Sequence, residues 1–516
     1  LRCINVVNFI REIEPRFPMD MMRPVREQMR LVKQYGLPAT WLLQFDALVS
    51  GPFVPFLKAN MESDHEVGFW FEMNEKHCRA AGVEWRGRPG YEWDFTPSVA
   101  FTIGYTIEER KKLADAAMQE FKRIWGHFPR SVASWNLDAV TMEYLISRYG
   151  VEAFAVCRDQ VATDGFTIWG APIAGYYPSD VNCWGAEGPG KGLSAPVFRM
   201  LGQDPVYYYA RRFRMPDGRL NSAPDTMEPV WPSGQNATFV ERFLAMIESG
   251  PSVGFAYAQL GQENTFPWEQ QEPGYEPQMK ALAEVKQRGV VHVETMGETG
   301  RRFRRAFKST PAQAQVMVRD PFGNEDQGER SAWYQSRYYR ANLHFRGQEV
   351  FFRDITVYPA GFEQPFLRKP TRLHDVEQRM PAVLDGYHWS SEGFTAGGFF
   401  EPAQAVARAA TKMASERVLS VHSRGSGLQV ETPYGPVVFS ERGLSVRQLS
   451  KERRIHFKVP RLPNLSVGVS RQLVSYETPE VIYSVAIRAG AAKLEDDGWS
   501  VGPEHGVIDL GLAQPG

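Results

Sequence analysis

Two hydrophobic periods divide this chain, and the change between them falls just after Phe307. Before it, short β-branched or aromatic runs alternate with segments whose apolar residues recur every three to four positions, the signature of βα units on a parallel sheet. The strand runs are Ile4 to Ile10, Ala39 to Phe45, Glu66 to Phe71, Ser131 to Trp135, Ala153 to Cys157, Ala195 to Met200, Ser252 to Ala258 and Val290 to Glu294. Helix punctuation lies between them. Asp20 precedes a stripe of Met22, Val25, Met29 and Val32 that Gly36 ends, and Thr106 with Glu109 has capping-box spacing at the start of a helix over Glu108 to Trp125. The pattern predicts an α/β chain with a (β/α) barrel of seven or eight strands over residues 1–308.

Beyond that point strand-like segments follow at short intervals, among them Glu349 to Tyr358, Arg417 to His422 and Glu480 to Arg488. They predict a mostly antiparallel β-sandwich over residues 309–516, with one helical interruption at Pro402 to Met413. The stretch 316–330, with Asp320, Pro321, Gly323 and Asn324, reads as an exposed loop.

Composition narrows the classes. Hydrophobic residues are 43% and charged residues 23% of 516, an ordinary globular balance that excludes disorder and collagen-like structure. Lys+Arg 59 against Asp+Glu 60 leaves no global field for a polyanion, so no nucleic-acid partner is expected. No run reaches the roughly 20 apolar residues of a membrane helix. Cys3, Cys78, Cys157 and Cys183 are scattered without metal-ligand spacing and read as free thiols. The chain opens at Leu1 inside a strand-like run, so a missing upstream segment is expected, and the compartment, cytoplasmic or exported, stays open.

In a barrel the chemistry gathers where strands end. Those ends carry Arg11 and Glu12; Gln44 and Asp46; Trp70 and Glu72; Trp135, Asn136 and Asp138; Arg158, Asp159 and Gln160; Arg199; Gln262, Glu263 and Asn264; and Glu294 with Glu298. Carboxylates, arginines, amides and tryptophans on one rim suit general acid/base work on a polar, anionic sugar. Each also has a plainer role, as helix cap or ion pair; Asp138 reads first as the cap of the helix from Ala139, and Asp46 as the cap of a following turn. His65 and His77 are too isolated to read as a metal pair. Gly185 to Gly192 lacks the context of a phosphate loop.

The segment Asp64 to Trp70, DHEVGFW, resembles the third-strand stretch of NodB-type polysaccharide deacetylases. Where those enzymes place two further metal histidines, this chain has Trp70 and Asn74, so no metal or other cofactor is expected. Within that barrel superfamily the segments NFIREIEPR, GLPATWLLQFDAL, VCRDQVATDGFTIWG, APVFRMLGQDPV, AQLGQEN and WYQSRYYRANL resemble the sialidases of glycoside hydrolase family 156. The resemblance implies an inverting exo-sialidase with a histidine acid, an aspartate base, and arginine and asparagine contacts to the sugar. It carries over to Arg199 and Asn342 as substrate contacts. The acid does not carry over: Ser134 and Trp135 stand where the histidine belongs, and His127 lies before the fourth strand.

The expected function is therefore an exo-glycosidase releasing terminal sialic or another acidic sugar. Asp46 or Glu72 would act as base and Asp159 as acid. Arg11, Arg158 and Arg199 would bind the carboxylate, Trp135 would stack on the ring, and Gln44, Asn264 and Asn342 would make polar contacts. Replacing Arg199 is expected to cost far more activity than stability. A non-catalytic carbohydrate-binding barrel and a metal-dependent deacetylase are the alternatives. The expected partner is a sialylated or other acidic glycan, with neither nucleic acid nor membrane; a homodimer is left open.

Overall fold

The computed structural model describes residues 1–14, 18–202, 204–206, 213–214, 220–221, 225–324, 328–347, 349–402 and 420–514. Its first half is built on seven parallel strands: β1 (Arg2–Ile10), β2 (Thr40–Leu43), β3 (Glu66–Trp70), β4 (Ser131–Ala133), β5 (Ala153–Val156), β6 (Val197–Arg199) and β7 (Ala256–Leu260). They lie side by side in the order β7-β1-β2-β3-β4-β5-β6, a nearly closed barrel. Beyond β6 the sheet continues antiparallel with Gly175–Tyr176. The expected eighth strand shrinks to His292–Val293, which pairs β1 at Cys3 and Ile4, below the start of β2.

Strand alternation sorts the side chains. Cys3, Val7 and Phe9 of β1 point with Leu42, Trp70, Phe198 and Tyr257 into the barrel, while Ile4, Val6 and Ile10 join Trp41, Leu43 and Phe69 against the outer helices. The helix Ile107–Trp125 shows how local sequence sets that outer layer. Thr106 and Glu109 form the capping box, Gly126 closes the helix at φ 81°, and Leu113, Ala114, Ala117, Met118 and Phe121 form its buried stripe. Full burial of each large member contributes about 1.5–3 kcal/mol.

After the helix Met296–Ala306 the chain enters two antiparallel sheets. The first includes strands Gln313–Met317, Glu329–Gln335, Tyr339–Arg346, Glu349–Val357, Ala382–Asp385 and Gly397–Glu401; the second includes Gly427–Val430, Val437–Ser440 and Ile482–Ala489. Tyr334, Tyr339, Phe352, Phe439, Tyr476 and Trp499 fill the space between them. The helix expected over Pro402 to Met413 lies, from residue 403 on, outside the described residues. The expected loop 316–330 is not simply exposed: Asp320 is buried and accepts the backbone N–H groups of Phe322, Asn324 and Glu329.

The two halves interlock. Val376–Arg379, from the β-rich half, pairs in parallel with Phe166–Trp169, the second arm of a hairpin that follows β5. That hairpin turns at Asp164 and Gly165, with φ of 52° and 74°. Positive φ at both central residues is what a two-residue type I′ turn requires. Arg110 donates to the carbonyls of Phe366 and Leu367, adding a second tie.

Candidate active site

The carboxyl ends of β1, β3, β4 and β7 converge on a narrow pocket lined by Arg11, Glu72, Trp93, Phe95, Phe101, Trp135, Asp164 and Glu263. Arg11 stands in its middle. Nη2 lies 3.0 Å from Glu72 Oε2 and 3.3 Å from Glu263 Oε2, and the guanidinium sits 4.5 Å from the Trp93 ring centroid. Its Nε is buried without a hydrogen-bond partner. Burial disfavours the Arg11 charge, and the Glu72 and Glu263 carboxylates outweigh it, raising its pKa. Glu72 is fixed from both sides: the indole N–H of Trp70 donates to Oε2 at 2.7 Å and that of Trp93 to Oε1 at 3.1 Å. Trp70 is itself stacked on Phe9 at 3.8 Å, and half-buried Trp135 meets both rings edge-on.

Other expected site residues are committed to holding the mouth together. Asn264 accepts from the Arg11 N–H and donates to the carbonyls of Arg11 and Met21, tying the end of β7 to the end of β1. Gln44 donates to the Glu72 carbonyl, while its Oε1 is buried without a partner. Asp46 is fully buried, Oδ1 accepting from Ala47 N and Oδ2 from Glu12 N. Burial pushes its pKa up to about 7 despite the backbone donors. Its oxygens serve the backbone, which corrects its assignment as a base. Arg158 pairs with Glu228 at 3.3 Å, and Glu228 also accepts from Gln262 and the Trp231 indole.

Asp159 and Arg199 need a plainer correction. Asp159 Oδ1 takes Arg199 Nη2 at 2.9 Å; Oδ2 takes Arg340 Nη1 at 2.7 Å and Gly170 N at 3.0 Å. Arg199 directs its remaining groups at the carbonyls of Cys157 and Pro172. Arg340 in turn grips Asp354 through Nε and Nη2 at 3.1 and 2.9 Å. All four side chains have 0% exposure. An acid so bound has no oxygen left for a leaving group, and Arg199 has no direction left for a sugar carboxylate. The chain of ion pairs joins the barrel to the first sheet of the β-rich half.

Asp138 caps the helix Ala139–Tyr149 through the Thr141 N–H, as its position suggested. His65 accepts from Ala39 N at the entrance of β3, opposite the mouth. His77 donates to the Leu113 carbonyl, and burial lowers its pKa to about 4, leaving a neutral core imidazole. The four cysteines are free and buried. Among the described residues no three His, Cys, Asp or Glu side chains could hold a metal ion, and no helix is long and apolar enough to cross a membrane. The metal of a deacetylase does not fit the residues present. Trp70 packs between Phe9 and Trp135 and donates to Glu72, and the Asn74 side chain caps the helix Glu75–Ala80 through His77 N.

No protein-family model and no curated protein matches the sequence. Solved structures match in shape. A protein of Parabacteroides distasonis named as a glycoside hydrolase/deacetylase superposes at TM-score 0.52 and 15% identity, covering 80% of this chain and 97% of its own. Proteins of Mycobacterium smegmatis and Pseudomonas aeruginosa named as polysaccharide deacetylases match at TM-scores of 0.34 and 0.35, each 12% identical. They cover 60% and 59% of this chain and 92% and 91% of their own. The first of these shares the fold, which by itself leaves the chemistry to the site.

Proposed function

We propose that this chain is a glycoside hydrolase, and more narrowly an exo-glycosidase for a sialic or other acidic sugar, working at the barrel mouth around Arg11. One observation carries the reading: two carboxylates flank a single arginine in an aromatic-walled pocket where the strands end, and that arginine keeps one N–H without a partner. Half-buried Trp135 offers an aromatic surface to a sugar ring. The Nε–H of Arg11 is the donor left for the sugar's carboxylate.

The charge arithmetic then assigns roles. Two carboxylates against one guanidinium leave the cluster with a net negative charge, to which a sugar carboxylate would add. Glu72, held by two indoles and Arg11, remains the fixed anion opposite the oxocarbenium charge of the transition state. Glu263 is then the acid that protonates the leaving oxygen. The reading also rests on the resemblance to family 156 and on the fold shared with a protein named as a glycoside hydrolase/deacetylase.

A panel of fluorogenic glycosides, sialosides included, assayed between about pH 4 and 8 tests it, since that range spans carboxylate and histidine titration. Release of aglycone from sialosides is expected. Release only from neutral glycosides overturns the acidic-sugar part. No release from any member beside a working control enzyme overturns the whole reading.

A further inference from the structure

Glu72 and Glu263 share one nitrogen of Arg11 and so stand side by side, whereas an inverting reaction needs its base on the face of the sugar opposite the acid. Inversion therefore needs a proton acceptor on another wall. The β-rich half holds one. Asp385 ends its strand with Oδ1 accepting the N–H groups of Tyr387 and His388 at 3.1 and 2.9 Å, and with Oδ2 2.7 Å from His388 Nδ1. The carboxylate thus takes Nδ1–H and orients the ring so that Nε2 faces away from it, the arrangement by which an aspartate positions a histidine for proton transfer. Nε2 is buried and has no hydrogen-bond partner. A buried polar atom in that state calls for a ligand or a water.

Its surroundings suit a sugar. The imidazole stands edge-on to Trp169 at 4.6 Å and to Tyr387 at 4.9 Å, and those two rings stack at 5.1 Å. Across the sheet, Trp333 pairs with Asn342, Asn342 with Asp354 and Asp354 with Asp385, so one row of side chains shares the barrel-facing side. Asn342 in that row is fully buried with both amide atoms unpartnered. Trp169 ends the hairpin whose turn residue, Asp164, lines the Arg11 pocket, and Trp169, Trp333 and Tyr387 belong to one apolar cluster with Phe9 and Trp70. Asp354, the cross-strand neighbour of Asp385, is held by Arg340, which also binds Asp159 at the end of β5, so the dyad stands on the β5 side of the barrel mouth.

We infer that His388, oriented by Asp385, is the proton acceptor for the attacking water, with Asn342 as the polar contact beside it; this rests on the glycosidase reading. The water oxygen bonds to the anomeric carbon while its proton passes to His388 Nε2. The bond to the leaving oxygen breaks with its electron pair staying on that oxygen, which takes the proton from Glu263. One water is consumed, the anomeric centre inverts, and solvent returns the proton from His388 to Glu263. Charged neighbours bear on this step. Asp385 touches the ring, Asp354 and its partner Arg340 lie beyond it, and the positive charge of Arg379 acts on Asp385.

The decisive experiment compares wild type with H388A, H388Q and D385N on the best substrate of the glycoside panel. It reads kcat, KM, pH profile, thermal midpoint and product anomer. H388A is expected to lower kcat about 10²–10³-fold, to remove the rising limb of the pH profile, and to regain part of its rate with added imidazole. D385N should fall comparably although its side chain is the same size, and wild type should release the inverted anomer by NMR. A kcat for H388A within about threefold of wild type, or a retained anomer, overturns the inference and leaves the glycosidase reading standing. A wild type that cleaves nothing removes both. If H388A does not fold, H388Q and D385N decide: an unchanged pH limb in either counts against His388.

Discussion

Two clusters of arginine and carboxylate do different work in this molecule. At the mouth, Arg11 meets Glu72 and Glu263, keeps a buried Nε–H without a partner, and borders a pocket. At the junction, Arg199 and Arg340 meet Asp159 and Asp354, each hydrogen-bonding through Nε, Nη1 and Nη2 to carboxylates or backbone carbonyls, with no surface exposed. Both stand at strand ends, so place in the barrel does not separate a site from a clamp. Unused hydrogen-bonding capacity does.

The strongest way to break this contrast is to cut the junction. D159A leaves Arg199 and Arg340 buried without their shared partner, and breaking one side of a buried pair costs about 3–5 kcal/mol. A chemical denaturation series should show that loss, with R199A close behind it. Turnover per folded molecule should change little. This reverses the sequence expectation for Arg199, and an R199A protein of unchanged stability but no activity would restore the original assignment.

At the mouth the ratio should invert. E72Q keeps the shape of Glu72 but loses its charge, and Arg11 still has Glu263. We expect turnover on the panel substrate to fall about 10²–10³-fold, the size seen when a preorganised transition-state contact is removed, with a stability cost of about 1–3 kcal/mol because the amide turns an N–H toward one of the two indole donors. Steady-state kinetics beside a melting curve measures both. A large drop in midpoint with full specific activity would move Glu72 into the same class as Asp159.

Much of the scaffold was legible because its signals are local. The Thr106–Glu109 box, the Asp138 cap and the apolar run of β1 all depend on neighbours within a few residues. The Asp164–Gly165 hairpin carried an equally local signal, a D-G pair between strand-like residues, that the sequence analysis did not use. The site was less legible. Glu72 and Arg11 could be named from their places after β3 and β1, but Trp93 comes from the long connection after β3 and Glu263 was only one of many polar rim residues. Asp385 and His388 lie in the β-rich half, where no strand-end rule points. Whether an arginine is already engaged depends on partners as distant as Asp159 and Arg340, 181 residues apart, and that is written in tertiary contacts alone.

Asp46 sharpens the contrast with the smallest effect, because it sits at the mouth and behaves like a junction carboxylate. Both its oxygens accept from the backbone, and burial raises its pKa from 3.8 to about 7 in the folded chain. The folded state therefore binds a proton on Asp46 that the unfolded chain releases near its ordinary value. The stabilisation from that proton is complete below about pH 4 and is lost as pH rises through about 7, at a slope of at most about 1.4 kcal/mol per pH unit. In D46N the side chain cannot titrate. Its amide turns one N–H donor toward the Glu12 or Ala47 N–H, so absolute stability should drop by about 1–3 kcal/mol. The advantage of wild type over D46N should shrink from pH 4 upward and reverse before pH 7, because only wild type loses its proton-linked stabilisation, which totals about 4 kcal/mol over that window. Denaturation midpoints at four pH values across that window suffice. A constant difference would mean that Asp46 is already ionised in the fold, and it would then return to the mouth as a charged neighbour of Arg11.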